Sequence, residues 1–208
     1  MNTRVLYLTG LSGSGKSTVC RELKAHGIQS FYSAEIAPRL IEGPLPNDPL
    51  AYGTAFGEEE GFIAAIMRGI LEGPALGSVI AVDSLRSPSE WSYVQQLPFE
   101  ARLVAVVCDK ETRMHRLRRR DGSKWMKVHE RDAIELGLRF ERRFEIGRLI
   151  GIADHYIDTT PGEDEMKWQV ARLLRSVVPV SNDCNTGMVR DKLSILRQVG
   201  NEEPLEVR

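Results

Sequence analysis

Gly10-Leu11-Ser12-Gly13-Ser14-Gly15-Lys16-Ser17 fits the pattern G-x-x-x-x-G-K-[ST] in full, between an apolar run, Val5 to Leu8, and a helical pattern starting at Ser17. A loop of this kind works mainly through its backbone. Its glycines reach conformations closed to other residues, so successive N–H groups turn toward one anion, and the following helix presents its positive end to the same charge. The Lys16 ammonium suits β- and γ-phosphate oxygens, and the Ser17 hydroxyl suits a magnesium position. Gly10, Ser12, Gly13, Ser14, Gly15, Lys16, Ser17 and Thr18 are therefore the expected binding set for ATP with Mg2+.

Such a loop needs a second magnesium ligand, and Val79-Ile80-Ala81-Val82-Asp83 reads as a buried strand ending on an acid. Asp83 is expected to share the metal with Ser17 and to act in catalysis with Lys16. Asp109, after the run Leu103 to Cys108, is the rival carboxylate and reads better as the cap of a helix beginning at Lys110. Phosphoryl transfer also needs positioned positive charge. From Arg113 to Asp121, Arg113, Arg116 and Arg120 share one helical face, while Met114 and Leu117 can face the core. Most of these arginines read as a solvated basic face. Arg116 and Arg120 are the expected phosphate contacts, with Arg120 catalytic at the hinge of a lid over about 120–130 that closes on the triphosphate and excludes water.

Short β-branched runs alternating with helical patterns must position these groups. Strands are expected at Val5 to Leu8, Gln29 to Ser33, Val79 to Asp83, Arg102 to Cys108 and His155 to Asp158. Helices are expected at Ser17 to His26, closed by Gly27, and at Glu58 to Glu72, Pro88 to Gln96, Lys110 to Arg119, Glu130 to Ile150 and Glu163 to Val177. Arg131, Arg139, Arg142 and Arg143 continue the arginine cluster on the Glu130 helix, where salt bridges with Glu130, Glu135, Glu141 and Glu145 are expected as much as phosphate contacts. The fold class is α/β: a P-loop NTPase fold with a five-stranded parallel sheet, helices on both faces and a small lid. Residues 1–177 form the expected domain, with 178–208 as linker and appendage; Pro44, Pro46 and Pro49 make Glu42 to Tyr52 an irregular loop.

The 208 residues are 42% hydrophobic, enough for one core, and 28 Lys plus Arg nearly balance 29 Asp plus Glu, which excludes a global pull toward nucleic acid or anionic membranes. Cys20, Cys108 and Cys184 lack metal-ligand spacing, and no apolar run is long enough for a membrane span. A cytoplasmic protein with reduced thiols is expected.

Residues 5 to about 177 resemble the nucleoside monophosphate kinase and dephospho-CoA kinase superfamily. Asp83-Ser84-Leu85-Arg86 is similar to the segment of nucleoside monophosphate kinases where an aspartate ends the third strand and a nearby arginine holds the acceptor's phosphate; Ser84 replaces the usual glycine. Arg116 to Gly122 is similar to the lid entrance of dephospho-CoA kinases, and Ala153 to Asp158 resembles their strand leading into the adenine-contacting loop, here Thr159 to Gly162. An archaeal group of nucleotide-kinase-like proteins is closer still, sharing the Val-Asp-x-x-Arg-Ser run at Val82 to Ser87 and the steps at Glu130 to Asp132 and Glu135 to Gly137. The acid and arginine that follow the second strand in related kinases imply Glu35 and Arg39 here as substrate-binding residues, with Arg86. Met188 to Leu193 resembles the opening of all-α nucleoside triphosphate pyrophosphohydrolases, without their helical glutamates.

The resemblance implies an ATP-dependent kinase whose partner is a small phosphorylated acceptor, first of all a nucleoside or deoxynucleoside monophosphate. Dephospho-CoA is the second acceptor class, although the His-Pro step of that family is missing. A nucleotide-controlled switch or ATPase is the alternative of a different kind; its marks, a partner domain or a water-positioning glutamine, are not evident. A kinase acting on bases within DNA would need a basic groove that the charge balance does not suggest.

Overall fold

β1 (Arg4–Thr9) buries nearly every side chain, as a strand covered on both faces must. In the computed structural model, which describes residues 3–33, 35–36, 61–71, 76–83, 85–121, 128–138 and 144–178, it is the middle strand of a sheet ordered β2-β3-β1-β4-β5. The other strands are β2 (Gln29–Tyr32), β3 (Val79–Asp83), β4 (Glu100–Val107) and β5 (His155–Asp158), and every pairing is parallel. The helices are α1 (Lys16–Ala25), α2 (Gly61–Leu71), α3 (Pro88–Val94), α4 (Lys110–Asp121), α5 (Val128–Glu135), α6 (Ile146–Gly151) and α7 (Glu163–Val177). Arg39, Ser84, Glu42 to Tyr52, the lid centre at 122–127, Arg139, Glu141, Arg142, Arg143 and 179–208 lie outside the described residues.

The strand period of two sorts the core. Val5 and Tyr7 join Ile63, Ile66, Met67 and Ile70 of α2, Trp91 and Val94 of α3, and Leu149 of α6 on one side. Leu6 and Leu8 join Val19, Cys20 and Leu23 of α1 with Met166, Val170, Leu173 and Leu174 of α7 on the other. This is the expected α/β sandwich with a parallel sheet. α3 starts on a capping box: the Ser87 hydroxyl accepts from Glu90 N–H, and the Glu90 carboxylate accepts from Ser87 N–H.

One expectation needs correction and one gains detail. The helix expected over Glu130 to Ile150 is two helices, because Gly137 takes φ +75° and closes α5 with bonds from Gly137 N–H to Ile134 O and from Leu138 N–H to Ala133 O. The helical period continues past such a break, so pattern alone bridged it. Met114 and Leu117 are buried, as expected, apart from the two clusters that flank the sheet. They form a separate small cluster, in which Leu117 packs under the Gly10 to Ser17 loop.

Candidate functional site

β1 ends at the centre of the sheet, and the loop leaving it runs straight into α1, so the loop sits over the carboxyl edge where doubly wound folds hold ligands. Gly10, Gly13 and Gly15 all have positive φ. At Gly10 the requirement is also steric, since a Cβ there would collide with Val106 O. Gly15 begins α1 without a side-chain cap, which leaves the first helical N–H groups for an anion. The loop, with Thr18 and an exposed Ser17 hydroxyl in the first turn, has the form needed to cradle phosphates.

The Lys16 ammonium lies across the loop, donating to Gly10 O (2.6 Å) and Leu11 O (3.3 Å). Burial pushes its pKa below the ordinary lysine range; the Asp83 and Glu135 carboxylates oppose that shift and the Arg86 charge adds to it. Lys16, Asp83, Arg86 and Glu135 therefore share one electrostatic neighbourhood. Asp83, at the end of β3, pairs in register with Leu8 on one side and Tyr32 on the other. It is 9% exposed and its Oδ1 has no hydrogen-bond partner among the described residues. Asp109 does cap α4, its Oδ1 accepting from Thr112 N–H at 2.8 Å.

Arg86 follows Asp83 and stacks over the Phe144 ring at 5.5 Å, with its N–H on Glu90 and its carbonyl accepting from Glu145 N–H. Glu35 is exposed just beyond β2, on the same sheet edge as Asp83. Arg116 is spent on a tether: its guanidinium donates to Thr159 Oγ1 and Thr159 O, both at 2.7 Å, and Thr159 Oγ1 donates to Ser14 O. That chain of bonds ties the loop after β5 to the phosphate loop. Arg120 is exposed in the last turn of α4; Arg113 and Leu117 of the same helix lie against the phosphate loop, and Arg116 connects to it through Thr159.

Arg113, read in sequence as part of a solvated face, is instead 3% exposed, donating to Ser12 O at 2.5 Å and pairing with Asp132 at 2.6 Å. Glu135 is bonded to Ser12 through both of its oxygens, and Glu145 pairs with Arg148. Arg113 and Glu135 are the residues at the site that pattern reading missed, and for Thr159, placed by resemblance in the adenine-contacting loop, it missed the bond to Ser14 O. For Glu135 the local signal was the Glu-Leu-Gly step, which marks a helix end but not the partner of its glutamate.

Comparison with known proteins agrees with this geometry. A model of the AAA domain matches residues 6–135. A UPF0200 protein from Pyrococcus furiosus is 30% identical over 190 residues, spanning 83% of this chain and 97% of the relative. A UPF0200 protein from Methanothermobacter thermautotrophicus is 26% identical over 198 residues, spanning 92% and 100%. Among solved structures, a Thermus thermophilus protein superposes with a TM-score of 0.63 at 17% identity, covering 86% of this chain and all of that one. Shikimate kinase from Acinetobacter baumannii, in complex with shikimate, superposes at 0.54 and 16% identity, covering 85% and 93%. These likenesses show a P-loop kinase fold, and the archaeal relatives match the nucleotide-kinase-like group that the motifs resemble.

Proposed function

The chain belongs to the UPF0200 family and carries an AAA domain, and from that premise we propose that it is an ATP-dependent kinase of a small phosphorylated acceptor, first of all a nucleoside or deoxynucleoside monophosphate. The observation that carries this reading is Asp83. A buried carboxylate oxygen with no donor is costly to leave unsatisfied, and its place beside the loop lysine suits a divalent cation shared with Ser17. Mg2+ bound there would offset the charge of the triphosphate. The chain's own groups do the rest. The loop N–H groups and the start of α1 hold the phosphates, and Lys16 follows the γ-phosphoryl group as it moves. Arg120 and the 120–130 lid close over it, and Arg86 with Glu35 and Arg39 receives the acceptor.

Residues 1–177 are the kinase domain in this reading, and the protein works in the cytoplasm; among the described residues no helix is long and apolar enough to cross a membrane. Neighbours named as shikimate kinases support transfer to a small molecule. The deciding experiment offers the chain ATP, Mg2+, a panel of nucleoside and deoxynucleoside monophosphates, and dephospho-CoA. A mass gain of one phosphoryl group on a monophosphate is expected. If ATP binds and no monophosphate gains mass, the acceptor class is rejected, and ATP hydrolysis stimulated only by a macromolecule would put the switch reading in its place.

A further inference from the structure

The phosphate loop is already gripped by a carboxylate of its own chain. Glu135, 5% exposed in the last turn of α5, accepts from Ser12 N–H at 2.8 Å and from the Ser12 hydroxyl at 2.5 Å. Both of its oxygens are thus bonded to one loop residue. We propose that Glu135 stands in for the donor's terminal phosphate, so that a triphosphate must displace it from the loop while a diphosphate need not.

This rests on the donor reading given above and adds a residue that sets the loop's preference between the two nucleotides. Three observations support it. A carboxylate in the last turn of a helix faces the negative end of the dipole, so α5 itself disfavours Glu135 where it sits. Among the described residues, the groups seen to favour it belong to the phosphate site: Ser12, and Lys16, whose ammonium feels the Glu135 charge. The nearby buried cation, Arg113, is bonded to Asp132 and Ser12 O and leaves Glu135 to the loop. Lys16 is the group suited to β- and γ-phosphate oxygens. A γ-phosphate on Lys16 therefore brings its charge against Glu135 at close range in a poorly solvated setting, where like charges repel strongly. Displacing Glu135 would also move Asp132 of the same helix relative to Arg113. Donor binding would thus be transmitted from Ser12 to α5.

The experiment measures dissociation constants of Mg2+-ADP and of a non-hydrolysable Mg2+-ATP analogue by calorimetry, for the natural chain, Glu135→Gln and Glu135→Asp. Glu135→Gln keeps the size and an acceptor oxygen without the charge. It should tighten the ATP analogue by about tenfold and ADP by less than about twofold, whereas Glu135→Asp keeps the natural ratio. Equal changes for both nucleotides, as a purely structural contact would give, overturn the proposal. Hydrogen exchange on the natural chain holds even if the Gln variant does not fold. Residues 128–138 should exchange faster with the ATP analogue than with ADP, and equal exchange overturns the proposal. A natural chain that binds neither nucleotide overturns the donor reading itself, an outcome distinct from binding both with an unaltered ratio in Glu135→Gln.

Discussion

Asp83 lies opposite Leu8 in the parallel register of β1 and β3, so its buried carboxylate emerges level with the strand end from which the phosphate loop departs. Asp83→Asn removes the charge and keeps the shape. Turnover should fall by about a hundredfold or more, while the melting temperature holds because Asn keeps the side chain's shape and packing. Parallel losses of melting temperature and turnover would make Asp83 a structural residue.

Lys16→Ala removes the ammonium that lies across the loop. Turnover should drop by about two to three orders of magnitude, since that charge acts on the moving phosphoryl group. Steady-state kinetics checks this, and near-normal turnover refutes the assigned role.

Arg116 and Arg120, alike in sequence, should separate in their effects. Arg116→Ala cuts both bonds to Thr159 and should cost about 1–3 kcal/mol in urea unfolding, with Arg116→Lys a poor rescue because the paired geometry needs a guanidinium. Arg120→Ala, at an exposed position, should change stability by no more than about 0.5 kcal/mol and lower kcat more than it raises KM for ATP. A pure loss of ATP affinity in Arg120→Ala would make it a ground-state clamp.

Gly137→Ala should destabilise the fold by about 1–2 kcal/mol, because φ is +75° there and a Cβ would sit 2.7 Å from Phe144 O. Thermal melting measures it. An unchanged midpoint would show that the α5 terminus rearranges without cost.

Burial raises the Glu90 carboxyl above its ordinary 4.5, against the opposing bonds from Arg86 N–H and Ser87 N–H. The folded state then holds the proton more tightly than the unfolded chain does. Its contribution is fully present below 4.5 and is lost as pH rises through the folded value. Glu90→Gln keeps an acceptor for the capping box and cannot ionise. Between about pH 4 and pH 8 the natural chain should lose more unfolding free energy than Glu90→Gln, and coincident pH profiles would contradict the shift.

What the sequence determined by itself was what short-range rules encode. The phosphate loop, the five strands, the cap at Gly27 and the acid closing β3 all follow from residue type and a period of two or 3.6, which a local stretch of chain carries complete. Gly137 was legible by the same rule that gave Gly27, but an apolar period running past it masked the break. The tertiary structure alone decided which charges meet. Glu135 reaches Ser12 across 123 residues, and Thr159 reaches Ser14 across 145. Arg113 is buried because α4 and α5 converge on one loop residue, although the same helix face reads as solvated. A charged side chain takes its partner from whichever elements the sheet order brings to its edge. No periodicity along the chain carries that order.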